Sequence, residues 1–224
     1  MPLRLFRRRN FAVSNILGSC WSAGASAWFV ITALYLQRVL GFDPLQVGPA
    51  YLPAEVVMAG FSGGLAAKML AHFGSRGPLI LGLLLAAGGL LLFATAPPEA
   101  KFIPSILPGM LLLGIGAGMA YTPLLLIALS DIESTDSGVA SGIVSTSFML
   151  GGALGLALLA SAADARTSQL QTAGAENIAA LIGGYRIAFL GAALLAIVAA
   201  AVAALLLPPA SHASRPEVTP LTQN

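Results

Sequence analysis

Apolar residues in this chain fall in long blocks, without the alternation of a half-buried strand or the single stripe of a soluble helix. Six blocks, near residues 11–36, 45–67, 78–96, 103–129, 138–163 and 187–207, are long enough to cross the hydrocarbon of a bilayer, which takes about 20 mostly apolar residues. The segments between them, 37–44, 68–77, 97–101, 130–137 and 164–186, collect the charges and many turn formers. The pattern predicts an all-α membrane protein: a six-helix transmembrane domain over 11–207, after a basic lead-in over 1–10. The tail 208–224 has Pro, Ser and Thr but no apolar period, and is expected to be disordered.

Composition sharpens this picture. The chain is 57% hydrophobic and 9% charged, where soluble domains carry about 25% charged residues, so membrane lipid is its main solvent. Residues 11–36 hold no charge and outrun the apolar core of a signal peptide, so the first block reads as a retained span. The single cysteine, Cys20, excludes an intramolecular disulfide. Two histidines, one cysteine and no paired intramembrane carboxylates supply no catalytic set and no metal site; neither an enzyme nor a cofactor is expected. The basic residues gather at one terminus rather than along an aromatic-interleaved stripe, which argues against nucleic acid.

The distribution of Lys and Arg sets an orientation. Arg4, Arg7, Arg8, Arg9, Lys68, Arg76 and Arg215 fall on one side, and Arg38, Lys101, Arg166 and Arg186 on the other. By the positive-inside rule both termini are expected in the cytoplasm of a multi-pass plasma (inner) membrane protein. Asp136 or Ser137 is expected to cap the fifth span.

Several helix faces carry chemistry. Asn15, Ser19, Ser22 and Ser26 are spaced 4, 3 and 4 apart and share one face of the first span. That face reads either as the wall of a polar cavity or as a helix seam tied by serine hydrogen bonds. Ser137, Ser141 and Ser145 repeat the theme in the fifth span, and Gly138 with Gly142 and Gly151 with Gly155 permit close helix approach. With Tyr51 and Tyr121, the residues Asn15, Ser19, Ser22, Ser26, Ser141 and Ser145 form the expected lining of a substrate cavity. Pro53 and Pro123 each free a carbonyl inside a span, predicting kinks.

Glu55 is the one acid well inside any span, and no basic residue lies at comparable depth. A charge there is costly without a use. A carboxyl that is neutral when dry and ionised when wet can carry one proton per cycle, which makes Glu55 the candidate proton-coupling residue.

The segment from Pro2 to Phe11, the run Leu34-Tyr35-Leu36-Gln37 followed by Val39-Leu40-Gly41, and Gly48 to Pro53 resemble the ninth span and the start of the tenth in the fourteen-span drug:proton antiporter group of the major facilitator superfamily. Gly138-Val139-Ala140-Ser141-Gly142 and Leu150 to Gly155 resemble that group's thirteenth span. The resemblance covers residues 2–207, the carboxy-terminal half of such a carrier. It implies that the first, second, fourth and fifth helices line a central cavity while the third and sixth are peripheral. The chain also departs from the group. Ala71-His72 precede Phe73-Gly74 where an acid and a base are usual, and Phe148-Met149 replace a polar pair.

Alternating access needs two bundles rocking about a shared site, and this chain supplies one. The expected function is half of a membrane transporter, exporting small lipophilic drug-like molecules in exchange for protons, incomplete without an amino-terminal half or a second copy. The alternative is a structural or regulatory membrane subunit without transport, or a truncated remnant of an exporter.

Overall fold

The computed structural model describes residues 3–97, 100–130 and 132–207; the tail 208–224, with Arg215, lies outside them. Among the described residues the elements are all helical, with no strand. Seven α-helices follow in order: α1 (Arg9–Arg38), α2 (Pro44–Gly60), α3 (Ala66–Phe73), α4 (Arg76–Ala94), α5 (Leu107–Leu129), α6 (Ser137–Thr172) and α7 (Asn177–Leu206). Five segments are long and apolar enough to cross a membrane: α1, α4, α5 with its preceding turn, α6 and α7.

The expected second span differs. It is helical from Pro44 to Phe73 but divided by a π-helical turn, Phe61–Leu65, into α2 and α3. Pro53 lies inside α2 and Pro123 inside α5, and both helices continue through them. Asp43 opens α2 with a capping box, its carboxylate accepting from the Leu45 amide while the Gln46 side chain accepts from the Asp43 amide.

The long loop expected over 164–186 shrinks to the few residues between α6 and α7. At 36 residues α6 is about 54 Å long, against about 30 Å of hydrocarbon. Polar residues at its end stay helical because side chains satisfy one another and the backbone: Arg166 donates to Gln169 at 2.6 Å and Thr167 to the Ala163 carbonyl at 2.9 Å. His72, expected in a loop, sits exposed in α3 with Nδ1 3.1 Å from the Lys68 carbonyl oxygen.

Glycine sets the packing. A Cβ on Gly82 would stand 2.7 Å from the Gly116 carbonyl oxygen, and one on Gly89 2.7 Å from that of Gly109, so α4 and α5 touch backbone to backbone. Helix α1 lies at the centre, against α5, α6 and α7. The lead-in, a 3-10 turn over Leu3–Arg7, buries Leu5 beside Phe11, Ala128, Ala140 and Val144. Arg4 pairs with Asp136 at 2.7 Å and Arg8 with Glu133 at 3.1 Å, tying the start of α1 to the loop before α6. Asp136 does stand at the N-cap of α6, but its side chain caps nothing, being held by Arg4 instead.

Candidate functional site

A cavity of about 260 Å³ opens between α1, α2 and α5 and reaches back to α4 and α7. From α1 it takes Cys20, Trp21, Gly24, Ala25, Trp28 and Phe29; from α2, Ala54, Glu55 and Met58; from α5, Leu113, Gly114, Ala117 and Tyr121. Leu90, Ala192 and Ala196 close its floor. Glu55 is the single ionisable carboxyl among these residues, and no basic side chain joins it. Both tryptophans of the chain are in the wall.

Local packing explains why the wall is aromatic. Tyr51 is buried in α2 and donates its hydroxyl to the Phe29 carbonyl at 2.7 Å. Its ring stacks at 4.8 Å on Phe29 and meets Trp28 edge-on at 5.5 Å. Tyr51 thus stands behind the cavity and fixes two of its lining rings. On the other side, a Cβ on Gly114 would collide with the Ala54 carbonyl, and one on Gly118 would lie 2.7 Å from that of Met58. These contacts bring α2 close to α5, and Glu55 and Tyr121 open onto the same cavity.

Of the residues expected to form the site, Glu55 and Tyr121 line this cavity. Ser19, Ser22 and Ser26 face the glycines of α6 instead. A Cβ on Gly151 would stand 2.6 Å from the Ser19 carbonyl oxygen, and one on Gly152 2.8 and 2.7 Å from the hydroxyls of Ser22 and Ser26. The Ser19 hydroxyl lies 2.9 Å from the Asn15 carbonyl and 3.1 Å from that of Ser147. Asn15 is buried and donates back to the Phe11 carbonyl at 2.8 Å. Of the two readings of this stripe, the packing matches the seam. Small side chains let α1 and α6 close on each other, and the Ser19 hydroxyl finds backbone partners there.

Ser141 and Ser145 are exposed on the open face of α6, where Ser141 donates to the Ser137 carbonyl at 2.9 Å. Helix α6 adds nothing to the cavity, while α4 and α7, expected at the periphery, add its floor. Phe148 fills the space over Gly18 and meets Tyr121 edge-on at 6.2 Å, so it backs the wall rather than lining it.

Glu55 departs from expectation in one respect. It is exposed at the cavity, so this bundle by itself does not remove it from solvent. Gly48 and Gly60 in α2 and Gly63 in the turn after it have no neighbour within 4 Å of a built Cβ, and Gly138 and Gly142 on α6 are equally bare. Among the described residues no group of three or more metal-ligating side chains occurs.

The aromatic wall was missed from the sequence. Its signal was the pair Trp21 and Trp28, seven residues apart on a face of α1 distinct from the serine stripe.

The family model of the Major Facilitator Superfamily matches residues 1–156. The chain is 30% identical to the cephamycin export protein CmcT of Amycolatopsis lactamdurans, over 97% of this chain and 43% of that protein. It is 29% identical to a puromycin resistance protein of Streptomyces alboniger, over 74% of this chain and 34% of that protein. The quinolone resistance protein NorB of Staphylococcus aureus is 29% identical over 70% of this chain and 34% of its own length. The chain therefore spans less than half the length of these relatives.

Proposed function

The chain belongs to the Major Facilitator Superfamily, and from that premise we propose that it is one bundle of a proton-coupled exporter of small lipophilic molecules. The observation that carries this reading is the lone carboxylate of Glu55 on an aromatic, otherwise apolar cavity. Such a wall binds greasy rings through area and stacking, and the one acid attracts a positively charged group on the substrate, helped by the faces of Trp21, Trp28 and Tyr121.

The mechanism follows from placing one proton acceptor in that wall. When the cavity is wet, Glu55 is ionised and pairs with a cationic substrate; when it is dry and empty, protonation removes the cost of an unpaired charge. Substrate and proton thus exclude each other at one carboxyl, which is the coupling an antiporter requires. Desolvation of Glu55 is completed by a second bundle laid over the bare faces of α2 and α6. Their unpartnered glycines permit the close approach on which helix packing in lipid depends. That second bundle is an amino-terminal half or another copy. The names of the relatives, which concern cephamycin export and resistance to puromycin and quinolones, support export of small molecules in general. The chain sits in the plasma membrane with both termini cytoplasmic, the Arg-rich lead-in obeying the positive-inside rule.

The test is efflux of lipophilic cationic dyes from cells expressing the chain, alone and with its partner bundle, with and without a proton gradient. Gradient-driven efflux in the wild type and its loss by at least about tenfold in Glu55→Gln is the expected result. Efflux that survives Glu55→Gln with an unchanged pH profile removes the proton role.

A further inference from the structure

At the ends of α1, α6 and α7 away from the lead-in, two tyrosines are buried against each other. Tyr35 is 2% and Tyr185 4% exposed, and their rings meet edge-on at 6.2 Å. Neither hydroxyl has an acceptor for its proton, although Arg38 stands close enough to donate to that of Tyr185. An orphaned buried hydroxyl is costly, and hydrocarbon offers no water to relieve it. Beside the pair, α6 closes on α7 with the Thr167 side chain against Gly184. A Cβ on Gly184 would stand 2.5 Å from the Ala163 carbonyl oxygen.

Two exposed arginines stand over this pair. Arg38, in the last turn of α1, is within electrostatic reach of the Tyr185 hydroxyl, and Arg186 within reach of Tyr35. Asp164 of α6 is the one acid acting on the pair, through Tyr185. The ion pairs found among the described residues, Arg4 with Asp136 and Arg8 with Glu133, involve neither arginine. The cluster therefore holds two hydroxyl donors and two guanidinium groups against one carboxylate, an excess of donors with a net positive charge.

A second observation runs downward from Arg186. Ile187, Leu190 and Leu194 are 39%, 42% and 61% exposed. Their spacing puts them on one side of α7, the side Arg186 opens. A cationic, donor-rich head at the end of a span and an uncovered apolar stripe beneath it match the two ends of one kind of molecule.

We propose that Arg38 and Arg186 hold the phosphate of a phospholipid whose acyl chain lies along Ile187, Leu190 and Leu194. Guanidinium groups bind phosphate oxygens in paired, charge-assisted hydrogen bonds. An oxyanion seated between them brings the acceptors that the two tyrosines lack to the rim of their pocket. Tyrosine at the membrane boundary suits the role, with its ring in the apolar layer and its hydroxyl at headgroup level. The bound lipid would pin α1 to α7 at the end opposite the ionic contacts of the lead-in.

The experiment uses the full chain, purified in detergent and depleted of lipid. Its unfolding temperature is followed while phosphatidylglycerol or inorganic phosphate is added, and native mass spectrometry counts the lipids retained. Wild type is expected to keep one phospholipid and to be stabilised by phosphatidylglycerol but not by phosphate at equal concentration. Arg38→Gln with Arg186→Gln should bind the lipid at least about tenfold more weakly and lose the stabilisation. Arg166→Gln, an exposed arginine of α6 engaged with Gln169, should behave as wild type. Tyr35→Phe with Tyr185→Phe keeps the packing and should bind weakly, which covers the case in which the arginine variant fails to fold. Undiminished lipid retention in the arginine variant overturns the proposal. So does stabilisation by inorganic phosphate alone, which would make the site one for a free anion, or equal loss in Arg166→Gln, which would make the attraction a general one.

Discussion

The seam between α4 and α5 and the outer faces of α2 and α6 are both rich in glycine, yet they use it for opposite ends. In the seam, Gly82, Gly89, Gly109 and Gly116 each bring a backbone atom of the facing helix within about a Cβ contact, and 56% of the membrane-crossing window of each helix is buried. On α6 the buried share falls to 22%, and Gly138 and Gly142 touch nothing. A glycine with no neighbour lowers helix stability relative to alanine by about 1 kcal/mol and gains nothing inside this chain. The comparison teaches that the first pair of helices is packed together while the second pair leaves glycine faces bare, the faces that the proposed second bundle would cover.

The sharpest way to break this contrast is to fill both kinds of glycine. Gly116→Val places a side chain where a Cβ already stands 2.6 Å from the Ala86 amide nitrogen. It should destabilise the chain by about 1–3 kcal/mol or prevent insertion, read by thermal unfolding in detergent. Gly142→Val should leave the unfolding of the isolated chain within about 0.5 kcal/mol, while co-purification with the partner bundle falls. Equal losses of stability in the two variants would erase the distinction between finished and open faces.

A smaller effect is expected at the lead-in. Arg4 is 70% exposed although its partner Asp136 is only 17% exposed. Arg4→Gln should cost less than about 1 kcal/mol, and the cost should shrink further as salt is raised. A larger, salt-independent loss would mean that the contact orders the start of α6.

The spans were legible because hydropathy blocks report directly on the solvent, and Glu55 because one acid in an apolar run stands out. The π-helical turn at Phe61–Leu65 was not legible, since Ser62, Gly63 and Gly64 suit a close helix contact as well as they suit an extra residue in the turn. The residues 164–172 read as a loop by polarity but are helix, because their side chains bond locally once clear of the membrane. The cavity wall was hidden for another reason. Helix α1 is apolar nearly all round, so its polar stripe pointed to the α6 seam while Trp21 and Trp28 on another face line the pocket. In this central helix, serines mark the tight contact and tryptophans mark the space.

Because Trp21 and Trp28 are the only tryptophans and both line the cavity, the selectively excited tryptophan fluorescence of the chain reports on that site. The most direct measurement is quenching of this fluorescence by a lipophilic monocation across a range of pH, in wild type and in Glu55→Gln. Saturable binding that weakens as pH falls in the wild type, and that is about tenfold weaker and independent of pH in Glu55→Gln, is the predicted result. Binding of the same strength and pH dependence in both proteins would contradict an exchange of substrate and proton at Glu55.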